Sequence, residues 1–266
     1  MTSIPASPTL TGRRPLAPAF AFPIIGLLTG MREATVLAVT AETPTIRSIR
    51  LEPPAGYSFR AGQHALLRLD AEAGPDMRPL SISSAPSEGI LEFATRVGPS
   101  SFKRAFFDLR PGDRVKVSRP MGRWTIDASA PAVVLGGGIG ITPVKSVLTE
   151  SVTARHLPVR LVISNRSAAE TPFAAELTAL ARRAPRISLA WHLTEKSDGG
   201  LNGEVYGGRI DRTAVEREVA AADAGAGFYV TGPDAMVRSV AGLLAEAGVP
   251  SSRIRPLAQG YRAPQA

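Results

Sequence analysis

The stretch from Ala132 to Leu148 constrains this chain most: Ala-Val-Val-Leu-Gly-Gly-Gly-Ile-Gly-Ile-Thr-Pro, then Val144, Val147 and Leu148 at helical spacing. Ala132 to Leu135 is an apolar run suited to a parallel strand covered on both faces. Gly136, Gly137, Gly138 and Gly140 leave a turn almost without side chains, so a ligand can approach its backbone. Thr142 stands where a helix N-cap is expected, with Pro143 at the first helical position. Strand, bare turn and helix N-terminus together offer free N–H groups and a positive dipole end, which attract phosphate. Two common phosphate motifs are excluded. Counting GxGxxG from Gly138 ends on Pro143, and no Gly-Lys-Ser/Thr follows.

The rhythm around this stretch extends the reading. After Ala130, strands at Val133–Leu135, Val159–Ile163, Ile187–Trp191 and Phe228–Val230 alternate with helices over Val144–Val152, Phe173–Arg182, Arg212–Ala222 and Ala235–Ala247. This alternation predicts an α/β doubly wound parallel sheet. Upstream, from Met31, short strands are punctuated by Gly, Pro, Asp and Ser: Ala34–Val39, Thr45–Leu51, His64–Leu69, Pro79–Ser83, Leu91–Val97 and Arg114–Ser118. They predict a small closed antiparallel β-barrel with one helix over Ser100–Leu109 and a turn at Pro111-Gly112-Asp113. The boundary is expected near Asp127 to Pro131, giving a barrel domain over 31–128 and an α/β domain over 129–266. Residues 1–30 hold Pro5, Pro8, Pro15, Pro18 and Pro23 and read as a flexible extension. Its apolar patch ending near Leu28 is too short and too broken to span a bilayer, and Arg13-Arg14 lack the context of an export signal, so a cytoplasmic location is expected.

Composition removes several function classes. The 266 residues contain no cysteine, which excludes disulfides, thiolate zinc sites, a cysteine nucleophile and a cysteine-ligated iron–sulfur cluster within this chain. The net charge is +8, but the arginines are scattered and no nucleic-acid motif appears, so no nucleic-acid partner is expected. A diffuse positive field fits dinucleotide phosphates or an acidic protein partner. His64, His156 and His192 form no constellation and are expected to be structural or surface residues. Without HExxH or clustered carboxylates no metal site is expected, and without GxSxG no acyl-transfer serine.

Several further segments carry a family likeness. Arg78-Pro79-Leu80-Ser81 resembles the RxYS flavin motif of the ferredoxin–NADP reductase family in an RPxS form, and Gly136 to Pro143 resembles that family's GGxGxTP turn. Phe59-Arg60-Ala61-Gly62-Gln63 resembles its aGQ turn, and Thr95 to Lys103 its flavin-phosphate segment. Arg110 to Asp113 and Arg119 to Trp124 resemble its pGd and GPxGxf pair. Gly207-Gly208-Arg209-Ile210 resembles another family loop, and Phe228 to Met236 its YxCGPxxM segment. Three positions depart from the pattern: Leu80 replaces a tyrosine, Arg119 a glycine, and Thr231 the cysteine beside the nicotinamide.

The resemblance covers Met31 to about Tyr261 and implies a two-domain flavoprotein without a fused iron–sulfur domain. It implies FAD, rather than FMN, held by Arg78, Pro79, Leu80, Ser81, Thr95, Arg96, Val97, Ser100 and Ser101. Arg78 supplies a fixed cation for the flavin phosphates, and Ser100 opens a helix that can take an anion. It implies NAD(P)H held by Gly137, Gly138, Gly140, Thr142, Pro143, Asn165, Arg166, Thr231, Gly232, Pro233 and Met236. Arg166 can face a ribose or a 2′-phosphate, and Asp234 caps the helix after the second glycine turn. Ser81 near flavin N5, Thr231 beside the nicotinamide and Tyr261 stacked on the flavin carry the catalytic roles. The implied function is hydride transfer from NAD(P)H to FAD, then electron release to a separate acceptor, a ferredoxin-like iron–sulfur protein. Two alternatives stand beside it: a flavin reductase using free flavin as substrate, and an electron-transfer subunit of a larger complex. NADH against NADPH is left open.

Overall fold

A computed structural model describes residues 30–71, 74–151, 157–195 and 200–257. Two six-stranded sheets organise them. The first contains β1 (Arg32–Thr43), β2 (Ile46–Leu51), β3 (His64–Leu69), β4 (Asp76–Ser81), β5 (Leu91–Arg96) and β6 (Arg114–Val117) in the order β4-β3-β6-β1-β2-β5. Every pairing is antiparallel. Alternate residues point inward, so Ala65, Leu67 and Leu69 of β3 meet Ile49, Leu51, Phe93 and Val117 in one core. The sheet curls until its edges meet: just past β4, Ser83 N donates to Glu92 O in β5 (2.8 Å). Helix α1 (Ser101–Asp108) plugs this core with Phe102 and Phe106.

The second sheet contains β7 (Ala132–Gly137), β8 (Val159–Asn165), β9 (Ile187–Leu193), β10 (Glu204–Gly207), β11 (Gly227–Thr231) and β12 (Ile254–Leu257). Its order is β10-β9-β8-β7-β11-β12, and all five pairings are parallel. Helices α2 (Thr142–Ser151) and α3 (Ala174–Arg183) cover one face, on Val134, Leu161, Ile163 and Trp191. Helices α4 (Arg212–Ala221) and α5 (Asp234–Glu246) cover the other, on Val133, Leu135, Val162 and Val230. The chain winds outward from β7 through β8 and β9 to β10, then returns to the other side of β7 as β11. The order therefore reverses beside β7, and ligands of such sheets bind where it reverses, beyond the carboxyl ends of the strands. Here that end is the glycine turn.

Several expected boundaries move. β4 starts at Asp76 rather than Pro79, because its hairpin partner β3 pairs along its full length, from His64↔Ser81 to Leu69↔Asp76. Pro79 is tolerated there because β4 is an edge strand. β10 and β12 were not expected as strands. Both are four-residue edges, β12 carries Pro256, and neither has the buried apolar run that marks a central strand.

Candidate functional site

Gly138 has φ 53°, in the left-handed region where a side chain is strained, and a Cβ there would find nothing nearer than Arg96 Nη2 at 3.9 Å. Backbone geometry thus favours glycine, and the space beside it is open. Gly140 is glycine for another reason, since a Cβ would stand 2.5 Å from the backbone of Gly232. The two glycine turns, after β7 and after β11, pack backbone against backbone. Thr231 ties them: its Oγ1 donates to Gly140 O (2.7 Å), which leaves the hydroxyl only acceptor capacity toward a ligand. At Gly137 an added Cβ would crowd the end of the Met236 side chain, so Met236 lies against the turn.

Two capping expectations need correction. A 3-10 turn over Gly138–Ile141 runs straight into α2, so Thr142 is already helical (φ −52°, ψ −53°) and its hydroxyl donates back to Ile139 O (3.0 Å). Pro233, not Asp234, is the N-cap of α5; Asp234 is the first helical residue and its charge faces the positive helix end.

A cleft of about 520 Å³ opens between the sheets. Pro79, Leu80, Ser81 and Thr95 line it from the barrel, and Gly140, Thr142, Pro143, Thr231 and Gly232 from the parallel sheet. His64 also lines it, directly opposite Ser81 in the β3–β4 hairpin. No motif singles out His64; its place comes from the register of the two strands, which sets it opposite Ser81. Burial pushes its imidazole down from the ordinary histidine value, which favours the neutral ring.

The remaining predicted residues fall into three groups. At the start of α1, Ser100 is the N-cap and accepts from Lys103 N (3.3 Å). Beside it Arg78 lies over the Phe102 ring (5.8 Å) and pairs with Asp76, whose carboxylate also accepts from Ser101 Oγ (2.7 Å). The Ser101 hydroxyl, Arg78 and the Met77 and Phe102 N–H groups outweigh burial and hold the Asp76 carboxyl below its ordinary range. Arg96, at the end of β5, reaches Thr45 Oγ1 and Glu170 Oε2 (3.1 Å), bridging the barrel to the loop after β8. Val97 beside it is exposed. At the end of β8, Arg166 is 73% exposed and pairs with Glu195 (2.9 Å). Asn165 is buried there with its Nδ2 unpartnered. Tyr261 lies outside the described residues.

A buried ion network sets the two sheets against each other. Lys145 of α2 pairs with Glu92 of β5 and with Glu176 of α3 (2.8 Å), and lies over the Phe173 ring (4.7 Å). Arg50 (3.0 Å) and Ser83 (2.8 Å) complete the shell of Glu92. Ser146 adds a hydrogen bond to Ser84 O (2.6 Å) across the same junction. Thr142 through Leu148 are all buried, as expected of a helix wedged between two bodies.

The donor set suits a flat ring held between two phosphate seats. Ser81, Thr95 and apolar Leu80 face the cleft, the open glycine turn and the orphan Asn165 amide lie on one side, and Arg78 stands with the α1 N-terminus on the other. Among the described residues no cluster of three or more His, Asp or Glu side chains suits a metal ion, and no helix is long and apolar enough to cross a membrane.

A curled antiparallel sheet facing the carboxyl end of a doubly wound sheet, with a cleft at the reversal point, defines the class of two-domain reductases. The family model for the oxidoreductase NAD-binding domain matches residues 134–242. Ferredoxin–NADP reductase B of Sorangium cellulosum is 32% identical over 237 residues, covering 84% of this chain and 95% of that protein. The propane 2-monooxygenase reductase component of Mycolicibacterium goodii is 29% identical over 227 residues, 82% of this chain. The chain spans 65% of that relative's length. A ferredoxin NADP+ reductase from Neisseria gonorrhoeae, solved with bound FAD and NADP, superposes with a TM-score of 0.72 at 21% identity, covering 86% of this chain and 98% of that one. The chain belongs to the ferredoxin–NADP reductase family.

Proposed function

We propose that this chain is an NAD(P)H-dependent flavoprotein reductase that passes electrons to a separate protein acceptor. The observation that carries the reading is the single cleft in which the RPxS strand and both glycine turns converge. The flavin, when bound, supplies the ring that accepts hydride and releases electrons. The protein's part is to hold two rings in contact and exclude water.

Residues 31–128 hold FAD in this reading, and residues 129–266 hold the nicotinamide dinucleotide. Leu80 lies against the flavin, Ser81 and Thr95 offer polar contacts to it, and Arg78 with Ser101 meets its phosphates. Gly138 and the turn after it receive the dinucleotide phosphates at the start of α2, with Asn165 and Arg166 toward the adenosine end. Thr231 borders the nicotinamide. Neutral His64 beside Ser81 adds a polar, uncharged wall. The acceptor is an iron–sulfur protein of acidic surface. Support comes from the net charge of +8 and from relatives named as reductase components of oxygenase systems.

Arg78→Ala tests the assignment. A charge-assisted contact of this kind contributes about 1.5–3 kcal/mol, so FAD affinity should fall roughly ten- to a hundredfold while the fold persists. Calorimetry giving an unchanged FAD affinity rules out the phosphate seat.

A further inference from the structure

The seat at the start of α1 already holds an anion, and it is the chain's own. The Asp76 carboxylate accepts from Ser101 Oγ at 2.7 Å, from Arg78 Nη2 at 3.2 Å and from Met77 N at 2.8 Å, and Arg78 Nη1 pairs with it as well. The hydroxyl and the guanidinium are the donors that the proposed function gives to the flavin phosphates. The arrangement follows from the strand: Asp76 and Arg78 are two residues apart in β4, so both project from one face toward α1. Their side chains are 19% and 48% exposed, so the pair is open to an incoming ligand.

We propose that Asp76 is a specificity-determining residue that competes with flavin phosphate for Arg78 and Ser101, narrowing the chain's preference for FAD over phosphate-free flavin. This inference rests on the reading that Arg78 and α1 receive flavin phosphate. An entering phosphate must take the Ser101 hydroxyl from Asp76 and share Arg78 with it. It then lies within a few ångströms of a carboxylate of like charge. Contacts to the ring, made by Leu80, Ser81 and Thr95, are the same for riboflavin, FMN and FAD. The penalty therefore falls only on flavins that carry phosphate.

The test measures dissociation constants of riboflavin, FMN and FAD by fluorescence quenching, for the full chain and for Asp76→Asn and Asp76→Ser. Thermal melts show that each variant is folded. Both variants should tighten FAD and FMN by about tenfold, as expected for removing one nearby like charge, and leave riboflavin within about twofold. Unchanged or weaker FAD binding overturns the proposal, because Asp76 then orients Arg78 instead of competing with the ligand. An equal gain for riboflavin overturns it too, since phosphate is then irrelevant. If the unaltered chain binds none of the three, the flavin reading itself fails and this inference with it.

Discussion

Gly138 is where the sequence argument and the backbone meet at a single residue. Its glycine was expected for close ligand approach; the structure adds a φ of 53°, which a β-branched side chain tolerates poorly. Gly138→Val should therefore act twice. It should destabilise the fold by about 1–3 kcal/mol, the usual cost of a strained residue, and weaken both nicotinamides while flavin binding stays normal. A melting curve and parallel nicotinamide and flavin titrations separate the two effects, and wild-type nicotinamide affinity would mean the dinucleotide is misplaced. Other residue roles were only half legible. Glycine at 137 and 140 was visible, but their reasons, Met236 and the Gly232 backbone, are tertiary contacts between turns distant in sequence. Asp76 gave no signal, because a carboxylate two residues before an arginine reads as an ordinary surface pair. Its meaning comes from α1 lying beside β4.

Helix α2 is the element that joins the two sheets, and its buried face is partly ionic. Burial pushes the Glu92 carboxyl up, but Lys145, Arg50 and Ser83 together outweigh it and hold the carboxyl below its ordinary value of 4.5. A carboxyl lowered in the folded state contributes stability above its unfolded pKa, and that contribution is lost as pH falls through the folded value. The pairing should thus weaken below pH 4.5. Glu92→Gln should cost about 3 kcal/mol at neutral pH, the low end for a broken buried pair, because Glu176 still neutralises Lys145. Its melting temperature should also fall less steeply than wild type on acidification. An equal acid slope in the two proteins would show that Glu92 does not link the junction to pH. The helix itself was legible from Val144, Val147 and Leu148. Its ion pairs were not, since Lys145 and Glu92 are 53 residues apart and no local pattern joins them. The edge strands β10 and β12 were illegible for a similar reason: neighbours, not their own four residues, make them strands.

For the whole molecule, the order of motifs along the chain foretold the order of sheets, because antiparallel meanders and strand–helix alternation leave different periodicities. The family likeness implied that Ser81 and Thr231 face one cleft; the junction along α2 that brings the two halves together, through Lys145–Glu92 and Ser146–Ser84, left no local signal. The central claim is that hydride crosses that cleft, and the most direct measurement is an anaerobic titration of the FAD-loaded protein with NADH and, separately, NADPH, followed by absorbance. The account predicts that at least one nicotinamide bleaches the flavin band to completion at about one equivalent, as expected for a single two-electron site. A flavin band that stays unchanged with both nicotinamides would contradict it.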